Sequence, residues 1–164
     1  MIRTGKDECM MVIDHVGMVV KSIEKAVEHW EKVFDYRKMT DVVINSRQKV
    51  KVVFLCKEHS LTVKLIEPID EASPVHRFAM KGGGLHHLCF KCSDMNGELQ
   101  RLNEMGLRTI TPPQPGEAFE NENIAFIYSG FGLNIELIDT ELKAKRILFY
   151  DPHDAAIDKR EKEE

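Results

Sequence analysis

His15, His87, Lys64 and Glu136 are the residues on which chemistry can be built, because one offset relates them in pairs. His15 and His87 are 72 positions apart (87 less 15), and so are Lys64 and Glu136 (136 less 64). Two imidazoles and a carboxylate form a plausible ligand set for a divalent metal. A single histidine is more often a core or surface residue satisfied by one hydrogen bond. A pair at one repeat offset, with an acid in the last strand, strengthens the ligand reading. His86 is expected on the opposite face of its strand, in a supporting role. His29, His59, His76 and His153 fall on helix, turn or loop, with no partner at useful spacing.

The elements that position these residues follow the same offset. Met11 to Val20 reads as a strand, Ser22 as an N-cap, and Ile23, Ala26, Val27, Trp30, Val33 and Phe34 recur at helical spacing. Met39–Asn45, Lys49–Cys56 and Leu61–Ile66 read as strands, with Glu58-His59-Ser60 as a turn between the last two. A polar crossover from Ile69 to Lys81 follows, tethered by Val75, Phe78 and Met80. After Gly82-Gly83-Gly84 the order starts again. Leu85–Cys92 is a strand, Asp94 an N-cap, and Met95, Leu99, Leu102 and Met105 a helix face ended by Gly106. Arg108–Ile110, Ile124–Tyr128 and Leu133–Ile138 complete the strands, with Pro112-Pro113 and Gly130-Phe131-Gly132 as breaks. Ser22 maps on Asp94, Phe54 on Phe126, Leu65 on Leu137 and Ile66 on Ile138 at that offset.

Alternation along Leu133–Ile138 puts Asn134, Glu136 and Ile138 on one face and Leu133, Ile135 and Leu137 on the other. Lys64, between Val63 and Leu65, is placed equivalently. A charge in an apolar strand is either solvated on an outer face or held inside for a purpose, since an unpaired buried charge is costly.

Composition bounds what remains. A 164-residue chain, 43% hydrophobic and 30% charged, has the balance of a soluble globule that needs no disulfide. A net charge of −4 with interleaved acids and bases argues against nucleic acid. No apolar run approaches a membrane span and the N-terminus has no signal pattern, so a cytoplasmic location is expected. Cys89 and Cys92 form a C-x-x-C inside a strand, where residues three apart face opposite ways, and read as structural.

Asp14-His15-Val16-Gly17, Leu65-Ile66-Glu67-Pro68 with Ser73-Pro74, Gly83-Gly84-Leu85-His86-His87 and Asn134-Ile135-Glu136-Leu137 resemble the vicinal oxygen chelate superfamily. That superfamily includes glyoxalase I and methylmalonyl-CoA epimerase, and the order and spacing look most like the epimerase branch. The resemblance spans roughly residues 12 to 139. It implies an α+β fold of two tandem βαβββ modules, 11–68 and 83–139, in a cupped, mainly antiparallel sheet. A leader, 1–10, precedes them, and an extension with a charged tail, 140–164, follows. The expected partners are a carbonyl compound or acyl thioester and a second copy of the chain, with neither nucleic acid nor membrane.

The resemblance places the metal on His15, His87 and Glu136, as one divalent ion of Co, Zn, Ni, Mn or Fe, and puts Lys64 where the family has a Gln or Glu oxygen. A charged lysine has three donors and no acceptor. Three readings stay open. The remaining three ligands hold a metal, for isomerase, epimerase or lyase chemistry by proton abstraction beside a carbonyl, or as a 2-His-1-carboxylate iron(II) oxygenase. Alternatively Lys64 pairs with Glu136 and replaces the metal, giving a metal-free binding site. In the third, Lys64 acts as a base. Glu136 and Lys64 are the candidate catalytic residues, and the position of the epimerase's second glutamate falls near Lys51-Val52, where there is no acid.

Overall fold

A computed structural model describes residues 11–147. Strand β1 (Val12–Val19) leads into helix α1 (Ile23–Phe34), then β2 (Arg37–Lys38), β3 (Val43–Asn45), β4 (Val50–Cys56) and β5 (Thr62–Pro68). A short helix α2 (His76–Met80) crosses to β6 (Gly84–Lys91), α3 (Met95–Glu104), β7 (Arg108–Pro115), a 3₁₀ turn (Glu117–Phe119), β8 (Asn123–Tyr128) and β9 (Asn134–Ile138). Both long helices start on the expected caps: Ser22 Oγ accepts from Lys25 N and Asp94 Oδ1 from Gly97 N.

All nine strands join one mixed sheet in the order β2-β4-β5-β1-β6-β9-β8-β7, with β3 also on β4. Pairing is antiparallel except for β1 with β5 and β6 with β9. The two opening strands therefore meet at the centre, and each lies beside the closing strand of its own half. Strand alternation divides the core in three. Val52, Phe54, Ile66, Ile124 and Ile138 face inward with Phe119. Val53, Leu55, Val63 and Leu65 pack under Ile23 of α1 on the outer face. Ala125, Ile127, Ile135 and Leu137 do the same under Met95, Leu99 and Leu102 of α3. Both charged strand residues are held inside, Lys64 at 2% and Glu136 at 0% exposure.

Several elements depart from expectation. Of the strand expected at 39–45 only Val43–Asn45 forms, as β3; β2 precedes it at Arg37–Lys38, and Thr40 between them accepts from Phe54 N through Oγ1. Strand β7 runs through Pro112-Pro113 because it is the last strand of the order, where a missing N–H costs no ladder bond. In the crossover, Val75, which caps α2, and Ala79 are buried four residues apart, whereas Met80 is exposed and Phe78 is exposed with its ring 6.2 Å from that of His86. Cys89 and Cys92 lie in different core clusters, as alternation requires, and Cys92 Sγ donates to Ile138 O. The segment after β9 runs back to the first half, where Lys145 O accepts from Asp41 N and Ile147 N donates to Met39 O. Residues 1–10 and 148–164, including the leader, His153 and the charged tail, lie outside the described residues. Among the described residues no helix is long and apolar enough to cross a membrane.

The central strand pair carries two register shifts, and both fall next to the histidines. One leaves Asp14 as an extra residue on β1, before His15; the other leaves His86 as an extra residue on β6, before His87. Asp14 and His86 are themselves related by the repeat offset of 72. Opposite the second bulge, Gly17 makes room for the His87 ring: a Cβ there would lie 2.2 to 2.6 Å from three of its atoms. Gly17→Ala is expected to cost about 1–3 kcal/mol of stability, the usual penalty of overpacking, and to displace the imidazole. Urea denaturation measures it, and an unchanged midpoint would refute the account of Gly17.

Candidate functional site

The two histidines and Glu136 meet where the two halves of the sheet join. His15 Nε2 lies 2.9 Å from Glu136 Oε2. His87 Nε2 lies 3.0 Å from the same oxygen, but out of line, and makes no hydrogen bond. Lys64 Nζ donates to both carboxylate oxygens, at 3.0 and 3.2 Å. Every member of this group is at most 2% exposed. The strands dictate the convergence: Lys64 and Glu136 are inward-facing on β5 and β9, and each of those strands runs parallel to its own histidine strand.

The two bulge residues orient the histidines from behind. Asp14 Oδ2 accepts from His15 Nδ1 at 2.7 Å, while His86 Nδ1 lies 2.9 Å from His87 Nδ1. His86 was expected on the opposite strand face; the bulge breaks the alternation and turns it to the same side as His87. A further residue arrives from beyond the repeat. Lys143, 8% exposed, sets its ammonium 3.2 Å from Asp14 Oδ2. The Lys143 and Lys64 ammoniums lie 5.1 and 4.9 Å from the centroid of the Phe119 ring.

These contacts set the electrostatics. Burial works to raise the Glu136 pKa, but Lys64 and the two histidines outweigh it and hold the carboxyl well below the usual range. At Asp14 burial likewise raises, and the His15 and Lys143 contacts leave the net shift downward. Burial pushes His87 down to about 4, and lowers His86 as well. Both of these rings are neutral at pH 7.

In front of the cluster opens a cavity of about 530 Å³. Val50 and Val52 of β4, Ile66 of β5, Ile110 of β7 and Phe126 of β8 wall it. Contributions from strands at both ends of the sheet order require the sheet to curl around it. Lys64, His86 and His87 form the polar floor, and His15 and Glu136 lie behind them. Arg47, exposed at the tip between β3 and β4, is at the rim, and no acidic side chain lines the space among the described residues. Val52 faces the cavity, whereas its neighbour Lys51 pairs with Glu67 at 3.1 Å.

By ligand type His15, His87 and Glu136 can hold a metal ion, with donor atoms within 4.8 Å of one another. The charge around them does not fit a divalent ion. Two ammoniums, Lys64 and Lys143, already balance two carboxylates, Glu136 and Asp14. A divalent ion on Glu136 would sit about 4 Å from the Lys64 nitrogen, where the repulsion is roughly 8 kcal/mol at an effective dielectric constant of about 20.

The sequence model of the Glyoxalase/Bleomycin resistance protein/Dioxygenase superfamily matches residues 14–128. An uncharacterized protein of Bacillus subtilis, YqjC, is 35% identical over 116 residues, covering 70% of this chain and 81% of that one. The ethylmalonyl-CoA/methylmalonyl-CoA epimerase of Cereibacter sphaeroides is 25% identical over 123 residues, covering 71% and 87%. The crystal structure of methylmalonyl-CoA epimerase from Mycobacterium tuberculosis superposes with a TM-score of 0.70 at 28% identity, covering 88% of this chain and 91% of that one.

The buried charges make stability depend on pH in one direction. His86 and His87 have native pKa values below the unfolded value of 6.5, so the unfolded chain binds protons first as pH falls, and stability drops between 6.5 and about 4. Asp14 and Glu136, lowered from 3.8 and 4.5, contribute stability above those values that is lost as pH falls through their native ones. His87 alone accounts for roughly 3 kcal/mol, at about 1.4 kcal/mol per pKa unit. Urea midpoints at pH 7.5, 6, 5 and 4 should fall monotonically; a flat profile down to pH 4.5 contradicts the burial of neutral histidines.

Proposed function

The chain belongs to the glyoxalase/bleomycin resistance protein/dioxygenase superfamily, and we propose that it is an isomerase acting on an anionic acyl thioester or related carbonyl compound by moving a proton beside the carbonyl. The observation that carries this reading is the cavity itself, with walls of apolar and neutral polar side chains, a floor of ammonium and imidazole, a guanidinium at the rim and no carboxylate among its described lining residues. Such a space favours a substrate with an apolar body and a negative group. The epimerase relatives support the class by name, since ethylmalonyl-CoA and methylmalonyl-CoA are acyl thioesters with a free carboxylate.

Proton transfer falls to His86 in this proposal. Glu136 is a poor base, since Lys64 and His15 take both its oxygens and it holds its proton weakly. The His87 nitrogens face Glu136 and His86. A carboxylate oxygen beside His87 Nε2 favours the proton on that nitrogen, so His87 Nδ1 accepts from His86 Nδ1. His86 Nε2 is then the lone pair available to the cavity. It takes the Cα proton, the electron pair passes to the carbonyl oxygen as an enolate, and the Lys64 ammonium beside the floor stabilises that oxygen. Isomerisation is completed when His86 delivers the proton to a different atom of the enolate, or to its opposite face after the enolate has turned over in the cavity; return to the same face regenerates the substrate. Val52 stands near the expected place of a second carboxylate, which supports one-base transfer rather than two-base epimerisation. A cytoplasmic location belongs to this proposal, and the burial of Cys89 inside a strand suits a structural rather than a cross-linking role.

One observation favours a second reading, a binding protein without catalysis: the carboxylate of the site is occupied on every side. Mass spectrometry of candidate acyl-CoA thioesters incubated with the protein in deuterium oxide separates the two. Enzyme-dependent deuterium uptake at Cα is expected, falling about 10²-fold or more in His86→Gln. Tight binding with no uptake supports the binding reading, and full exchange in His86→Gln removes His86 from the mechanism.

A further inference from the structure

We propose that Lys64 and Lys143 are the resident cations of this site, that together they exclude divalent metals, and that the Lys64 ammonium supplies the positive charge otherwise expected from an ion. Lys64 takes both oxygens of the one carboxylate that could anchor a metal. Lys143, from the segment following β9, sits on Asp14, the carboxylate behind His15. The four charged groups sum to zero in a largely buried region, with both ammoniums over the rings of Phe54 and Phe119. Adding a double positive charge would leave that excess uncompensated.

A Lys64→Gln change removes one positive charge and restores an oxygen donor, while His15, His87 and Glu136 stay. A Lys64→Met change removes the charge and adds only a weak thioether donor. The two variants separate repulsion from a missing ligand. Lys143 acts through Asp14 and His15, so Lys143→Met should add to either change. Lys64 as the partner of the developing enolate oxygen rests on the reaction proposed above; metal exclusion does not.

The test uses the full chain purified without chelator, metal analysis of the product, and calorimetric titration with Co²⁺, Zn²⁺, Ni²⁺ and Mn²⁺ separately. The wild type should hold less than a tenth of an equivalent of metal, and no titration should give a stoichiometric site. Lys64→Gln should take up one equivalent at least 10²-fold more tightly, and Lys64→Met should gain a smaller amount. The unfolding temperature should rise with metal for Lys64→Gln and stay unchanged by metal or EDTA for the wild type. One tightly bound equivalent on the wild type overturns the proposal, whether or not the variants fold. A folded Lys64→Gln with no gain in metal affinity overturns it as well. None of these readouts involves turnover, so a failure of the proposed reaction leaves the metal result standing, and the reverse.

Discussion

The contact between the Lys64 ammonium and the Glu136 carboxylate is the constraint around which the molecule is organised. It spans the repeat offset, linking the same inward position of the two halves. Neither residue tolerates its place alone: losing one partner of a buried pair costs about 3–5 kcal/mol because the other charge is left uncompensated. Strand β5 cannot hold Lys64 inside unless β9 brings Glu136 to it, and those strands are brought together only by the central pairing of β1 with β6. The polar pair thus ties the closing of the cup to a correct register in both halves. A slip of one residue in β9 would put Leu137 or Ile135 opposite the ammonium and turn Glu136 into the apolar layer under α3.

Much of this is legible in the sequence. Subtraction of 72 pairs His15 with His87 and Lys64 with Glu136, and alternation puts Glu136 opposite the Ile135/Leu137 row, which is where the outer core lies. The caps at Ser22 and Asp94 follow from residue type alone. What alternation cannot show is where alternation fails. Alternation alone turns His86 away from His87, and only the bulge reverses it. The signal was present in the repeat, since His86 is the mate of Asp14, but a bulge depends on the partner strand's register and not on local residue preference. Lys143 had no comparable signal, because it lies beyond the duplicated region and acts through a contact 129 positions away in sequence. The proline pair in β7 misled for a similar reason: whether a missing N–H matters depends on whether the strand is at an edge.

The paired bulges show how a duplicated strand produces an asymmetric site. Each adds one residue just before an inward histidine, and each added residue is used to hold that ring by its Nδ1. On β1 the added residue is a carboxylate, itself tied to Lys143, so His15 is fixed in the interior. On β6 it is another imidazole, and it lines the cavity. The same backbone device therefore yields a closed, charged support on one side and an open, titratable group on the other. Gly17 is the steric counterpart, since the missing side chain lets the His87 ring lie against β1.

The charge reversal between the two halves decides what the cup can accept. In a duplicated site with oxygen ligands at both closing-strand positions, two imidazoles and two oxygen donors would converge without internal neutralisation, and a metal ion would be the natural complement. Here one of those positions carries an ammonium, so Lys64 and Glu136 already neutralise each other, and under the proposal above a cation finds no net negative charge there. What remains unbalanced faces outward: Arg47 forms no ion pair among the described residues, and the cavity around it has no described acid. An incoming anion meets that residual positive field without disturbing the buried pair, whereas an incoming cation has to break it. In the proposed reaction the apolar portion of the substrate meets Val52, Ile66, Ile110 and Phe126, side chains held by rigid strands rather than by the connecting loops.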